Sequence, residues 1–198
     1  MTDKIFSKLN IYDQIGYLLV GGLAILVGLI DCRILGFHRE IVALTADNFV
    51  IWFLVAYFLG HLIHAVANTL VKENKTVFSE SEKEILAKAR LFFDGAKQSD
   101  NEVYLLCYML SSAKDITGQV QSFNAYYSLY RGWFTIFLFE MNFVSLVILA
   151  HGLSLKLLTF FTAASVISFL MLTRSRRFYD YSRGKTLQTF TLIEKLKL

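Results

Sequence analysis

His61 and His64 stand three residues apart in FVIWFLVAYFLGHLIHAVANTLV, residues 49–71, a stretch with no lysine, arginine or carboxylate. On a helix that spacing puts both imidazoles on one face. Glu140 is the lone carboxylate in a second apolar stretch, WFTIFLFEMNFVSLVILAHGL, residues 133–153. A charged group in hydrocarbon costs at least about 2.5–3.5 kcal/mol, so such residues face a bundle interior, a water-filled path or one another. Two chemistries fit. In one, His61, His64 and Glu140 line a pore, a proton-sensitive gate or an ion site. In the other, a neutral histidine and the glutamate hydrogen-bond between helices and fix their packing. Two histidines and one carboxylate are too few ligands for a metal centre in a single chain.

The second chemistry-bearing group is near the C-terminus, Arg174-Ser-Arg176-Arg177-Phe-Tyr-Asp-Tyr-Ser-Arg183-Gly-Lys185. On a helix, Arg174, Arg177 and Tyr181 share one face, with Arg176 and Arg183 on a neighbouring one. Arginines beside a span set its orientation and attract anionic headgroups, at about 1 kcal/mol each. The same residues also suit an anion site for a nucleotide or oligonucleotide, with cations on phosphates and tyrosines stacking on bases. Arg131, just before residue 133, is placed to join Arg174, Arg176, Arg177, Arg183 and Lys185. In a symmetric oligomer such a set repeats as a ring.

Little else points to catalysis. Arg33 and His38 match the R-x4-H spacing of HEPN ribonucleases, but fall in a link expected on the outer side of a membrane. The chain has no nucleophile elbow, P-loop, glycine-rich dinucleotide fingerprint or HExxH motif. The expectation is a protein that is not an enzyme and uses no cofactor.

The elements that must position these residues follow from hydropathy. The chain has 198 residues, of which 55% are hydrophobic and 18% charged, with no proline. Globular domains average roughly 45–50% apolar and about 25% charged residues. Mean hydropathy is +0.48. Four apolar runs, at 15–30, 49–71, 133–153 and 155–172, approach or reach the roughly 20 residues that cross a bilayer. The expected fold is an all-α integral membrane protein with four transmembrane helices and a helical cytoplasmic region. It divides as 1–71 (N-terminal segment and first two spans), 72–132 (cytoplasmic helices), 133–172 (a hairpin of two spans) and 173–198 (C-terminal helix). The N-terminus lacks the features of a cleaved secretory signal.

All lysines and arginines except Arg33, Arg39 and Lys156 fall in the N-terminus, the middle segment or the tail. The positive-inside rule therefore places both termini and the middle segment in the cytoplasm. That topology separates Cys32 from Cys107, so no intrachain disulfide is expected.

Within 72–132, Ser79 or Ser81 starts a helix with acidic residues in its first turn. Gly95 and Lys97–Asn101 break it. A second helix runs over 102–114 with Val103, Leu106, Cys107 and Leu110 as its apolar stripe. A third, over 120–131, leads towards the third span. In the tail, Phe178, Tyr181, Leu187, Phe190 and Ile193 form an apolar face. Gly184 is a candidate kink, because glycine inside a helix costs about 1 kcal/mol. On the first span, Ala24 and Gly28, with Gly21 and Gly22, are the small residues that would admit a close neighbour.

Asp13-Gln-Ile-Gly16-Tyr17, Tyr57-Phe-Leu-Gly60-His61 and Arg177-Phe-Tyr-Asp-Tyr181, set in this four-span layout, resemble small bacterial membrane proteins of anti-phage defence. The chain looks like the membrane effector of Hailong systems and, more distantly, the pore-forming accessory of type VI CRISPR systems. The resemblance implies a homo-oligomeric inner-membrane channel, a tetramer, in contact with lipid. It also implies gating by a DNA or nucleotide ligand made by a partner nucleotidyltransferase. The alternatives are a non-conducting adaptor whose cytoplasmic helices dock a protein, and a lipid-acting membrane enzyme.

Overall fold

The computed structural model describes residues 11–34, 48–71, 78–94 and 97–196, with side chains from residue 14 onward. Among these residues there are six helices and no strand: α1 (Ile11–Ile34), α2 (Phe49–Leu70), α3 (Glu80–Phe92), α4 (Asp100–Lys114), α5 (Gln119–His151) and α6 (Leu155–Leu196). Gln14–Ile34 within α1, together with α2, α5 and α6, are long and apolar enough to cross a membrane. The first such segment is longer than the 15–30 expected from sequence and takes in Asp31.

The chain divides into two compact units, Met1–Val71 with Ala125–Arg176, and Lys72–Asn124 with Arg177–Leu198. The unit boundaries fall inside α5 and α6, each of which is a single unbroken helix.

In the first unit, α1 and α2 meet through glycine. A Cβ added to Gly21 would overlap the Ala56 carbonyl, and one added to Gly60 would overlap the Tyr17 carbonyl. Gly22 and Gly28 face open space. Of the glycines expected to admit a close neighbour, Gly21 does so, and Gly60 of the facing helix completes the approach. Gly132 lets α5 close in on side chains of α1 and α2, less tightly than those backbone contacts. A Cβ there would lie 2.8 Å from Val20 Cγ2 and 3.4 Å from His64 Cε1. Further along, Val144 and Val147 of α5 bury against Leu157 of α6, with Ile34 of α1 packed on the cluster. Gly152, at φ +87°, ends α5 by donating its N–H to the Ile148 carbonyl at 2.8 Å. The Ser154 hydroxyl then accepts from the Leu157 N–H at the start of α6. Outside these seams the span residues are apolar and exposed, as with Phe58, Leu149 and Phe169.

In the second unit, α3 and α4 each begin with a reciprocal capping box, Ser79 with Glu82 and Ser99 with Glu102. The Ser99 hydroxyl and backbone N–H both bond the Glu102 carboxylate and hold its pKa below the usual range. Phe78, Leu86 and Ala89 pack with Val103 and Cys107 of α4 and with Leu187 and Phe190 of α6. Ser111 Oγ donates to the buried Thr186 carbonyl at 2.9 Å. Burial pushes the Cys107 thiol and the Tyr104 phenol up to about 12. The α4–α5 turn is built on Asp115. Its carboxylate accepts from the Thr117 N–H at 3.0 Å and the Val120 N–H at 2.8 Å. Gly184 does not break α6, which continues through it.

Candidate functional site

The sequence groups His61, His64 and Glu140 together, and the structure divides them. The histidines gather around Tyr17. His61 stacks on the Tyr17 ring at 3.8 Å between centroids, and Tyr57 meets His61 edge-on at 4.6 Å. The Tyr57 hydroxyl in turn donates to Gln14 Oε1. His64 meets Tyr17 edge-on at 4.9 Å. The next turn of α2 therefore carries His64 inward, where it is 5% exposed, while His61 stays at the surface. Ser128 Oγ lies 3.1 Å from His64 Nδ1, whereas His64 Nε2 is buried with no hydrogen-bond partner. The imidazole is held on one side and open on the other.

Glu140 joins neither histidine. It lies two turns beyond Gly132 on α5 and is 7% exposed. The ionisable group beside it is Asp31 of α1. The histidine–glutamate bond considered from sequence is not formed, and the group next to Glu140 is a second carboxyl. A hydrogen bond between the two carboxyls would need one proton. Asp31 Oδ1 and Glu140 Oε2 remain buried without hydrogen-bond partners. The pair can therefore hold a proton, exchange it, or present two oxygens to a cation. Asp31 is the carboxylate beside Glu140 that the sequence reading does not include. The signal was the shortness of the 15–30 run, because one more turn reaches Asp31.

The six basic residues singled out in the sequence also divide. Arg131, Arg174 and Arg176 belong to the first unit. Arg131 Nη1 donates to the Tyr127 hydroxyl at 3.0 Å, with the guanidinium 4.7 Å above that ring. Arg174 lies 5.9 Å from the Tyr130 ring. Arg176 is exposed. Each of these two tyrosines on neighbouring turns of α5 thus carries a cation on its face.

Arg177, Arg183 and Lys185 belong to the second unit. Arg177 Nε donates to the Tyr181 hydroxyl at 2.7 Å. Arg183 Nε lies 2.9 Å from a Glu82 carboxylate oxygen, and both side chains are mostly buried. The N–H is not aimed along that line, so the contact is an ion pair rather than a directed hydrogen bond. Arg183 thereby ties α6 to α3, and its charge is already answered by Glu82. Lys185 lines a 400 Å³ pocket with Phe123 and Tyr181.

Among the described residues no group of three or more His, Cys, Asp or Glu side chains could hold a metal ion. His38, the second half of the R-x4-H pair, lies outside the described residues. The chain matches no protein family model, no curated protein and no solved structure.

Proposed function

We propose that the protein is a homo-oligomeric membrane channel, gated through the helices of its second unit by a nucleotide or oligonucleotide signal. The observation that carries the reading is the Asp31–Glu140 pair. Two neighbouring carboxyls, Asp31 of α1 and Glu140 of α5, each with a buried oxygen that has no hydrogen-bond partner, lie in two of the four long apolar helices. An ionisable group at membrane depth is costly, and a path for ions or protons is its commonest reason. His64, with its open Nε2, is a second polar station. Exposed apolar residues on all four long helices suit lipid or copies of the same chain. Arg177 on Tyr181, together with Lys185, supports an anionic aromatic ligand. Inner-membrane location, cytoplasmic termini and a role in anti-phage defence belong to the same proposal. They rest on charge distribution and on the resemblance.

The test is ion flux in reconstituted vesicles. Asp31→Asn with Glu140→Gln keeps the shape and removes both carboxylates. The expected outcome is a flux change of about tenfold, the effect of about 1.4 kcal/mol on a barrier. Flux equal to wild type would return the pair to packing.

A second reading has its own observation. Leu91, Leu105, Met109 and Ile116 of the second unit are exposed, Leu91 at 82%. An adaptor would use such a surface to dock a protein and would show no flux under any ligand.

A further inference from the structure

Helix α6 keeps a glycine where its own fold has no use for one. Gly184 is not at a positive φ, and a Cβ there would meet no atom within 4 Å. Alanine would be the better helix former at this position. What Gly184 leaves open is the floor of the 400 Å³ pocket, which is walled by Gln119 and Phe123 of α5 and by Asp180, Tyr181 and Lys185 of α6. That volume lies in the range of small-molecule sites. All of these residues belong to the second unit.

The lining has a chemical direction. Phe123 and Tyr181 lie 5.8 Å apart between centroids with their planes tilted by 49°, so a flat ring can stack on one and meet the other at an angle. Gln119 and Gln188 each bring an amide that both donates and accepts, Asp180 brings an acceptor, and Lys185 brings a cation. Arg177 adds a second cation against Tyr181, 5.6 Å from its ring. A planar heteroaromatic ring with donors and acceptors on its edge and an anionic substituent satisfies all of them at once. We infer that this pocket holds a single nucleobase stacked on Phe123 and in contact with Tyr181, with its phosphate at Lys185. The inference rests on the nucleotide reading above and gives that signal a specific receptor.

Binding is measured by calorimetry on the full chain in detergent, with AMP, GMP, CMP and UMP in turn. Ribose 5-phosphate and inorganic phosphate are the controls. At least one mononucleotide should bind wild type more tightly than both controls. Gly184→Leu, which fills the floor, and Phe123→Leu, which removes the stacking ring, should each weaken binding about tenfold or more. Gly184→Ala should raise the melting temperature while weakening binding, so that lost binding cannot be lost folding. No mononucleotide binding above the controls, or Gly184→Leu binding as wild type does, would overturn the pocket. Conduction does not enter this readout. A non-conducting protein with Gly184-sensitive binding would overturn the channel and keep the pocket. A conducting protein gated by an oligonucleotide, with Gly184-insensitive binding, would overturn the pocket alone.

Discussion

At the scale of single residues, the sequence shows ionisable types well and their partners poorly. His64 and Glu140 are conspicuous in apolar runs, but Glu140 lies beside a carboxylate on another helix, and proximity across helices has no local signature. Asp31 went unread because a carboxylate at the end of a hydrophobic run looks like the end of the span. Arg183 reads as a free cation until Glu82 is seen against it. Asp115 supports a direct prediction. Burial alone would raise its pKa, but the Thr117 hydroxyl, the Val120 and Thr117 amides and the nearby Lys185 charge together outweigh burial and hold the carboxyl below its ordinary value of 3.8. A depressed folded-state pKa means that the stabilisation is present above the unfolded value and is lost as pH falls through the folded one. Asp115→Ala should therefore destabilise the second unit at neutral pH by about 1 kcal/mol, the cost of a lost cap. Thermal unfolding followed by circular dichroism should show that difference shrinking in acid below the carboxylate range. A deficit that persists there would show that the carboxylate's charge is not what holds the turn.

At the scale of elements, local signals did well. Ser79 with acidic residues behind it starts α3, and the stripe through Val103 and Cys107 of α4 is buried. The start of α4 was read two residues late. The polar run at Lys97–Asn101 looks like a breaker, yet Ser99 and Glu102 within and beside it are a capping box. Gly184 misled in the other direction, since glycine permits a break without imposing one. The α1–α2 seam was legible in residue type, small residues on the first span, but not in register. Which glycine meets a backbone depends on how the two helices are rotated, and Gly60 lies on the opposite helix. Gly60→Val should force α1 and α2 apart, because its Cβ has only the Tyr17 carbonyl to occupy. The expected cost is about 1–3 kcal/mol or more, as for other overpacked sites. It should be read as a lower melting temperature in detergent, with Gly28→Val, which faces open space, as the control. Equal behaviour of the two variants would contradict the seam.

At the scale of the whole molecule, the hydropathy pattern carried most of the fold. Four runs of apolar residues became four helices of membrane-crossing length, and the charged middle and tail became a second unit with its own small core. The helical reading of 120–131 and of the tail already pointed to extensions of the third and fourth spans, and α5 and α6 are each one unbroken helix. Two unbroken helices give a signal received in the second unit a covalent route to the spans. The proposed function requires that those spans conduct. The most direct measurement is current across a planar bilayer containing the purified chain, before and after adding a short oligonucleotide. The account predicts stepwise conductance that the oligonucleotide changes and that Glu140→Gln alters. A membrane that holds the protein yet stays silent in every one of these conditions would contradict it.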